Sequence, residues 1–381
     1  MASVTRKESL EIDGRPLATV DLAHIRELDG VRGVAVLSVF LHHICHLDAP
    51  GDWSPIVRGI FRVSVHGSAG VDLFFVLSGF LITSILMRAQ NRPRYYQDFY
   101  WKRTLRILPL YLFCLAGVLV FFRHSGLYVL MSLFFVANLA PHFHVSNIGG
   151  PFWTLAIEEQ FYLLWPTVVR RLSVRQISQV ALAIVVSTML FRISWALKGH
   201  YDCAFLFARA DGLALGAYIA CRNQSWYERK AWTASDAIAC CCAVVVALVL
   251  FFAVSPLAPF QATVALGAAL QQAAVTLLFG AVVAFAVAKS GAPYLGFLRS
   301  QSLRFFGLIS YALYLLHLWV MYIYDRFIPL ATGDTRGYFI RFFVILCGSI
   351  AFSLATRHLI ELPALDLRKY VIPSSREHTK A

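Results

Sequence analysis

Long apolar runs alternate with short polar, basic segments along almost the whole chain. The runs fall at about 31–47, 65–87, 107–122, 126–140, 153–169, 176–197, 205–221, 233–254, 262–288, 305–324 and 338–360. Most approach the roughly 20 residues that an α-helix needs to cross a bilayer. The run at 126–140 is short, contains Asn138 and leads through Pro141 into PHFHVSNIGGPFW. It is therefore expected to be a re-entrant or interfacial segment. The pattern predicts an all-α, polytopic membrane helix bundle of about ten transmembrane helices plus that short segment. Residues 1–28 are polar, with no apolar core or small-residue cleavage site, and read as a retained cytoplasmic tail. Residues 29–361 read as one membrane domain, and residues 362–381 as a short, flexible, cytoplasmic C-terminal tail.

Composition removes the soluble alternative. Of 381 residues, 59% are hydrophobic and only 14% charged, with a mean hydropathy of +0.65. A soluble domain is roughly 45–50% apolar and 25% charged. The formal net charge is +13, which in a soluble protein would raise nucleic-acid binding. Here 25 of the 34 Lys and Arg lie in 1–32, 88–106, 170–175, 222–230, 289–304 and 357–380. With ten crossings and the N-terminus inside, all of those segments face the cytoplasm, as the positive-inside rule requires. An eleventh crossing at 126–140 would put Arg170, Arg171, Arg222, Arg229, Lys230, Arg368 and Lys369 outside. Both termini are thus expected in the cytoplasm, the protein in the cell (inner or plasma) membrane, and nucleic acid is not a partner. All eight cysteines lie in or beside apolar stretches without zinc or disulfide spacing and read as packing residues.

Ionisable residues inside membrane spans are costly, so each is a functional candidate. In LDGVRGVAVLSVFLHHICHL, Arg32 and His43 are eleven positions apart, which places them on one helix face about 16 Å apart along the axis. Arg32 alone also fits a snorkelling edge residue, and His43 alone a satisfied core histidine. His42, His43 and His46 lack the carboxylate or cysteine that would complete a metal site, and no metal is expected. Asp72 opens the apolar run GVDLFFVLSGFLIT, where it would also serve the helix N-terminus. Arg103 and Arg106 are neighbours on a helix face and suit phosphate, although positive-inside topology would account for them too. Glu158 and Glu159 stand inside the apolar run PFWTLAIEEQFYLLWP; adjacent positions face different directions, so one pocket should not hold both. Arg209 and Asp211 would neutralise each other or other buried charges, and His317, near Ser310 and Tyr311, is ambiguous alone.

Taken in order, LDGVRG with the Arg32–His43 spacing, GVDLFFVLSGFLI, Arg103 and Arg106 followed by ILPLY, WTLAIEEQFY, RADGLALG and SYALYLLHL resemble the acyltransferase 3 family of bacterial membrane O-acyltransferases. The likeness runs from about residue 25 to residue 361. It implies a bundle of about ten membrane helices that transfers an acyl group, usually acetyl from acetyl-CoA, to a hydroxyl of a carbohydrate or other extracytoplasmic acceptor. Arg32, His43, Arg103, Arg106 and Glu158 match that family's functional positions; Thr154 stands where many members have Ser. The resemblance implies that Arg103, Arg106 and Arg32 bind the acyl-CoA donor. It further implies that His43 acts as general base or acyl carrier, with Glu158 orienting it. Acyl-CoA would be a substrate, with no permanently bound cofactor. The competing reading is a secondary transporter or flippase, which also uses buried charges in about ten helices; its usual inverted repeats are not visible here.

Overall fold

The computed structural model describes residues 25–45, 66–145, 150–200, 204–228, 261–328 and 335–371, together with a few positions before residue 65. Within these, the chain is helical apart from a two-residue hairpin pairing Glu11–Ile12 with Arg15–Pro16. In chain order the helices are α1 (Arg26–Ile44), α2 (Gly70–Ala89), α3 (Tyr95–Phe121), α4 (Gly126–Leu133), α5 (Phe152–Arg171) and α6 (Val174–Leu197). They continue with α7 (Leu206–Glu228), α8 (Gln261–Ala288), α9 (Gln301–Phe327), α10 (Thr335–Thr356), α11 (Leu362–Asp366) and α12 (Arg368–Val371). The apolar run at 233–254 lies outside the described residues.

The surface of the bundle identifies its solvent. Large apolar side chains such as Val120, Phe134, Leu163, Leu190 and Phe343 are exposed on the outside, while Asp72, Arg192, Asp211, His317 and Arg341 are buried inside. A water-soluble protein would invert that distribution, and exposed apolar surface on this scale belongs against lipid. Among the described residues, six helical segments are long and apolar enough to cross a membrane: 66–89, 95–121, 174–197, 265–288, 301–327 and 336–370. Helices α1, α5 and α7 fall outside that set; each carries charged residues, among them Arg32, the pair Glu158 and Glu159, and Arg209 with Asp211. Helix α4 has eight residues, about 12 Å of rise, and cannot cross a hydrocarbon layer ~30 Å thick. A 3₁₀ segment, Ala137–Phe143, follows it.

Two close helix pairs form the frame: α1 lies along α9, and α2 along α7. Glycine permits the approach in both. A Cβ at Gly79 would fall on the Leu213 carbonyl oxygen, and one at Gly307 on the carbonyl oxygen of Asp29. Small residues at such crossings let backbones meet where no hydrophobic effect drives helices together.

Helical structure extends into both segments read as tails. Helix α1 begins at Arg26, inside the segment read as tail, and Glu27 is buried there. Its carboxylate accepts from the Gly291 N–H at 2.8 Å, Ser290 Oγ at 2.9 Å and Arg299 Nη1 at 2.7 Å. This latch ties the start of α1 to the connection between α8 and α9. At the other end, α10 passes through a π-helical turn, Arg357–Glu361, into α11 and α12, which pack on α3. Leu362 and Leu365 are partly buried.

The latch has a pH signature, because Glu27 precedes the apolar run of α1. Burial opposes its ionisation, but the Gly291, Arg299 and Ser290 donors outweigh that and hold its pKa down to about 2 from an ordinary 4.5. A depressed carboxyl stabilises the fold above its unfolded value and loses that contribution as pH falls toward the folded value. The melting temperature of the detergent-solubilised protein is expected to fall between about pH 5 and pH 2. Glu27→Gln should be less stable at pH 7 and should flatten that part of the profile; an unchanged profile would contradict the latch.

Candidate active site

Helices α1 and α9 bring His43 and His317 into direct contact. His317 is buried, and its Nδ1 lies 2.9 Å from the Leu313 carbonyl one turn back. A carbonyl only accepts, so His317 Nδ1 carries the hydrogen, and in a neutral ring Nε2 then holds the lone pair. That Nε2 is 3.1 Å from His43 Nδ1, which must therefore be the donor, sharing its hydrogen with the Val39 carbonyl at 3.0 Å. With both rings neutral, the hydrogen-bond pattern assigns the lone pair of His43 to Nε2. Two backbone carbonyls and one buried ring thus fix the tautomer that leaves a basic nitrogen on His43.

The arginine cluster lies lower on α1 and involves α2, α3 and α5. Arg103 donates from Nε to Glu159 Oε1 at 2.8 Å, and its Nη2 is 3.8 Å from Glu158 Oε2. Its guanidinium also lies 3.5 Å from the centre of the Tyr162 ring. Glu158 Oε1 accepts from Ser78 Oγ at 2.8 Å. One expectation changes: Glu158 and Glu159 do share one site, because the fork of a guanidinium from another helix reaches both. Glu158 is held by Ser78 and Arg103, and the ring in contact with His43 is His317.

Arg32 and Arg106 are different. Arg32 is partly buried and Arg106 exposed, and among the described residues neither makes an ion pair within 4.0 Å. Arg106 is within electrostatic range of Arg32, Arg103 and Glu361, and Arg32 of Asp29 and Glu158. Two guanidiniums outside ion pairs thus lie near the Arg103, Glu158 and Glu159 group.

A third polar group sits where α5, α7 and α8 begin. Asp72 does not cap α2; its Oδ1 accepts from Arg209 Nη1 at 3.1 Å and Gln272 Nε2 at 2.7 Å. Asp211 pairs with Arg192 at 2.6 Å and accepts from Thr276 at 3.0 Å. Arg209 and Asp211 are therefore each neutralised by another helix. Arg192 was not distinguished by sequence, although a lone arginine in the apolar run of α6 was the available signal. Thr154 Oγ1 donates to the Pro151 carbonyl at 2.7 Å and is 2.8 Å from the Tyr314 hydroxyl, and the Tyr314 ring lies 6.4 Å from that of His317.

Comparison with known proteins decides the family. The acyltransferase 3 family, described as an acyltransferase domain, matches residues 25–358. The chain belongs to the acyltransferase 3 family. It is similar to YrhL of Bacillus subtilis (strain 168), named provisionally as a peptidoglycan O-acetyltransferase, at 37% identity over 38% of this chain and 23% of that protein. It is also similar to the peptidoglycan O-acetyltransferase OatA of Listeria monocytogenes, at 32% identity over 38% of the chain and 24% of the relative. For the O-acetyltransferase OatA of Staphylococcus aureus (strain NCTC 8325 / PS 47) the figures are 32%, 37% and 24%. The matched part thus spans about a quarter of these relatives. No solved structure matches the chain. Membership in the acyltransferase 3 family and the all-helical bundle with its apolar exterior agree on a multi-pass membrane protein.

The ring pair yields a test. His317→Ala should lower the turnover of acyl transfer about tenfold to hundredfold with little change in KM. His317→Gln, whose amide oxygen can accept from His43 Nδ1, should recover part of the loss. Equal activity of both variants and wild type would remove the tautomer-fixing role.

Proposed function

We propose that this acyltransferase 3 protein moves an acetyl group from acetyl-CoA to a hydroxyl of a cell-envelope or secreted carbohydrate. The observation that carries the proposal is the fixed His43–His317 pair standing about 16 Å up one face of α1 from Arg32. Arg32 and Arg106 supply positive charge not committed to an ion pair, suited to the donor's phosphates, and Arg103 is held between Glu158 and Glu159 to shape that site. The pantetheine arm would run along α1 toward His43. There Nε2 takes the proton of the acceptor hydroxyl as its oxygen attacks the thioester carbonyl. The C–O bond forms, the C–S bond breaks, and the departing CoA thiolate takes the proton back from His43. His317 keeps the opposite nitrogen in register throughout, a positioning role.

The names of the relatives support acetyl as the group and cell-wall glycan as the acceptor class. In this reading the bundle has about ten crossings in the plasma membrane, with both termini and the start of α1 facing the cytoplasm, where acyl-CoA is made. A transporter or flippase is less favoured, since it would need neither a tautomer-fixed histidine nor the release of CoA.

The test is acceptor-dependent appearance of CoA thiol in membranes supplied with acetyl-CoA. His43→Ala is expected to reduce it by about a hundredfold or more, and Arg32→Ala with Arg106→Ala to raise the donor KM by about tenfold or more. Wild-type rates with His43→Ala, or an unchanged donor KM in the double variant, would refute the respective assignment.

A further inference from the structure

A basic patch separate from the arginine cluster forms where three parts of the chain meet near the start of α3. The turn between α2 and α3 supplies Arg92. Its N–H donates to the Ala89 carbonyl at 2.9 Å and its carbonyl accepts from the Tyr95 N–H at 3.3 Å, which fixes it directly before α3. Helix α3 supplies Lys102, about one turn nearer that end than Arg106. Helix α12, packed on α3, supplies Arg368 and Lys369. Lys102 lies within electrostatic range of both Arg92 and Arg368.

Like charges gathered by packing repel one another unless an anion answers them. Asp98 is in range of Lys102, but it is already shared with Arg94 at 3.7 Å. Among the described residues, Arg92, Lys102, Arg368 and Lys369 make no ion pair within 4.0 Å. Asp366 is the other acidic side chain of α3, α11 and α12, so the patch keeps a positive surplus.

The surroundings indicate which anion fits. Trp101, beside Lys102 in the chain, is 45% exposed, and Tyr370, beside Lys369, is 76% exposed. Farther along α3, Leu112, Phe113 and Leu119 face outward, as lipid-facing residues do. Exposed Trp and Tyr at the end of such a helix mark the headgroup level of a bilayer, and basic pockets between helices at that level suit lipid phosphates. A soluble anion would gain nothing from the rings. We propose that Arg92, Lys102 and Arg368 form a headgroup site for an anionic phospholipid, whose phosphate ties the α2–α3 turn and α12 to α3. The site uses none of Arg32, Arg103 or Arg106 and is independent of the acyl-transfer reading.

The test titrates the purified, delipidated full chain in detergent with dioleoylphosphatidylglycerol or dioleoylphosphatidylcholine and counts bound lipid by native mass spectrometry. Wild type should bind the anionic lipid about tenfold or more tightly than the zwitterionic one. Arg92→Gln with Arg368→Gln, both exposed side chains, should remove most of that preference, and adding Lys102→Gln should remove the rest. Arg171→Gln with Arg175→Gln is the control. It takes two exposed arginines from the same end of the bundle, where Gln90 donates to the Val169 and Leu172 carbonyls, and should leave the preference intact. Melting temperatures near wild type confirm folding; should the triple variant fail to fold, the double variant decides alone. Equal affinity of wild type for the two lipids, an undiminished preference in the double variant, or the same loss in the control overturns the proposal. Displacement of the anionic lipid from wild type by CoA would assign the patch to a soluble phosphate and overturn it too.

Discussion

A charge inside a membrane-embedded bundle must be answered by another charge or by hydrogen bonds, and this constraint places the helices of the acyltransferase 3 protein. Without a hydrophobic drive between helices in lipid, polar pairs and close small-residue contacts set who packs against whom. Arg103 joins α3 to α5 through Glu158 and Glu159, and Asp72 joins α2 to α7 through Arg209. Asp211 joins α7 to α6 through Arg192, and Arg341 joins α10 to Asp325 of α9 through two bonds of 2.7 Å. Arg341 also reaches the Ile44 carbonyl at the end of α1, at 3.3 Å. Nearly every helix therefore contributes to a pair that only the assembled bundle can satisfy.

Against that rule, the groups left incompletely answered carry the functional information. Arg32 and Arg106 have no ion pair among the described residues. The His43–His317 pair has both ring N–H groups answered, His317 Nδ1–H by the Leu313 carbonyl and His43 Nδ1–H by His317 Nε2 and the Val39 carbonyl. In the proposed reading the arginines hold the donor and the histidine pair supplies the base.

Much of this was legible in the sequence, but unevenly. Arg32 and His43 share a helix, so their spacing alone gave face and separation, and the short run at 126–140 declared itself by length and by Asn138 and Pro141. What could not be read were contacts between helices. His317 is 274 positions from His43, and nothing in SYALYLLHL says which ring it meets. Glu158 and Glu159 face apart on an isolated helix, but Arg103 of another helix lies between their directions and reaches both. The same limit applied to Arg209 and Asp211: the sequence left open whether they pair with each other or with other buried charges, and the second holds, each being claimed by a different helix.

The most direct measurement is a structure of the full chain in lipid nanodiscs with a non-transferable acetyl-CoA analogue in which a methylene replaces the thioester sulfur. The account predicts the phosphates of the analogue within hydrogen-bonding distance of Arg32 and Arg106, and its acyl carbonyl beside Nε2 of His43. Phosphates bound elsewhere, or an acyl group placed away from the histidine pair, would contradict it.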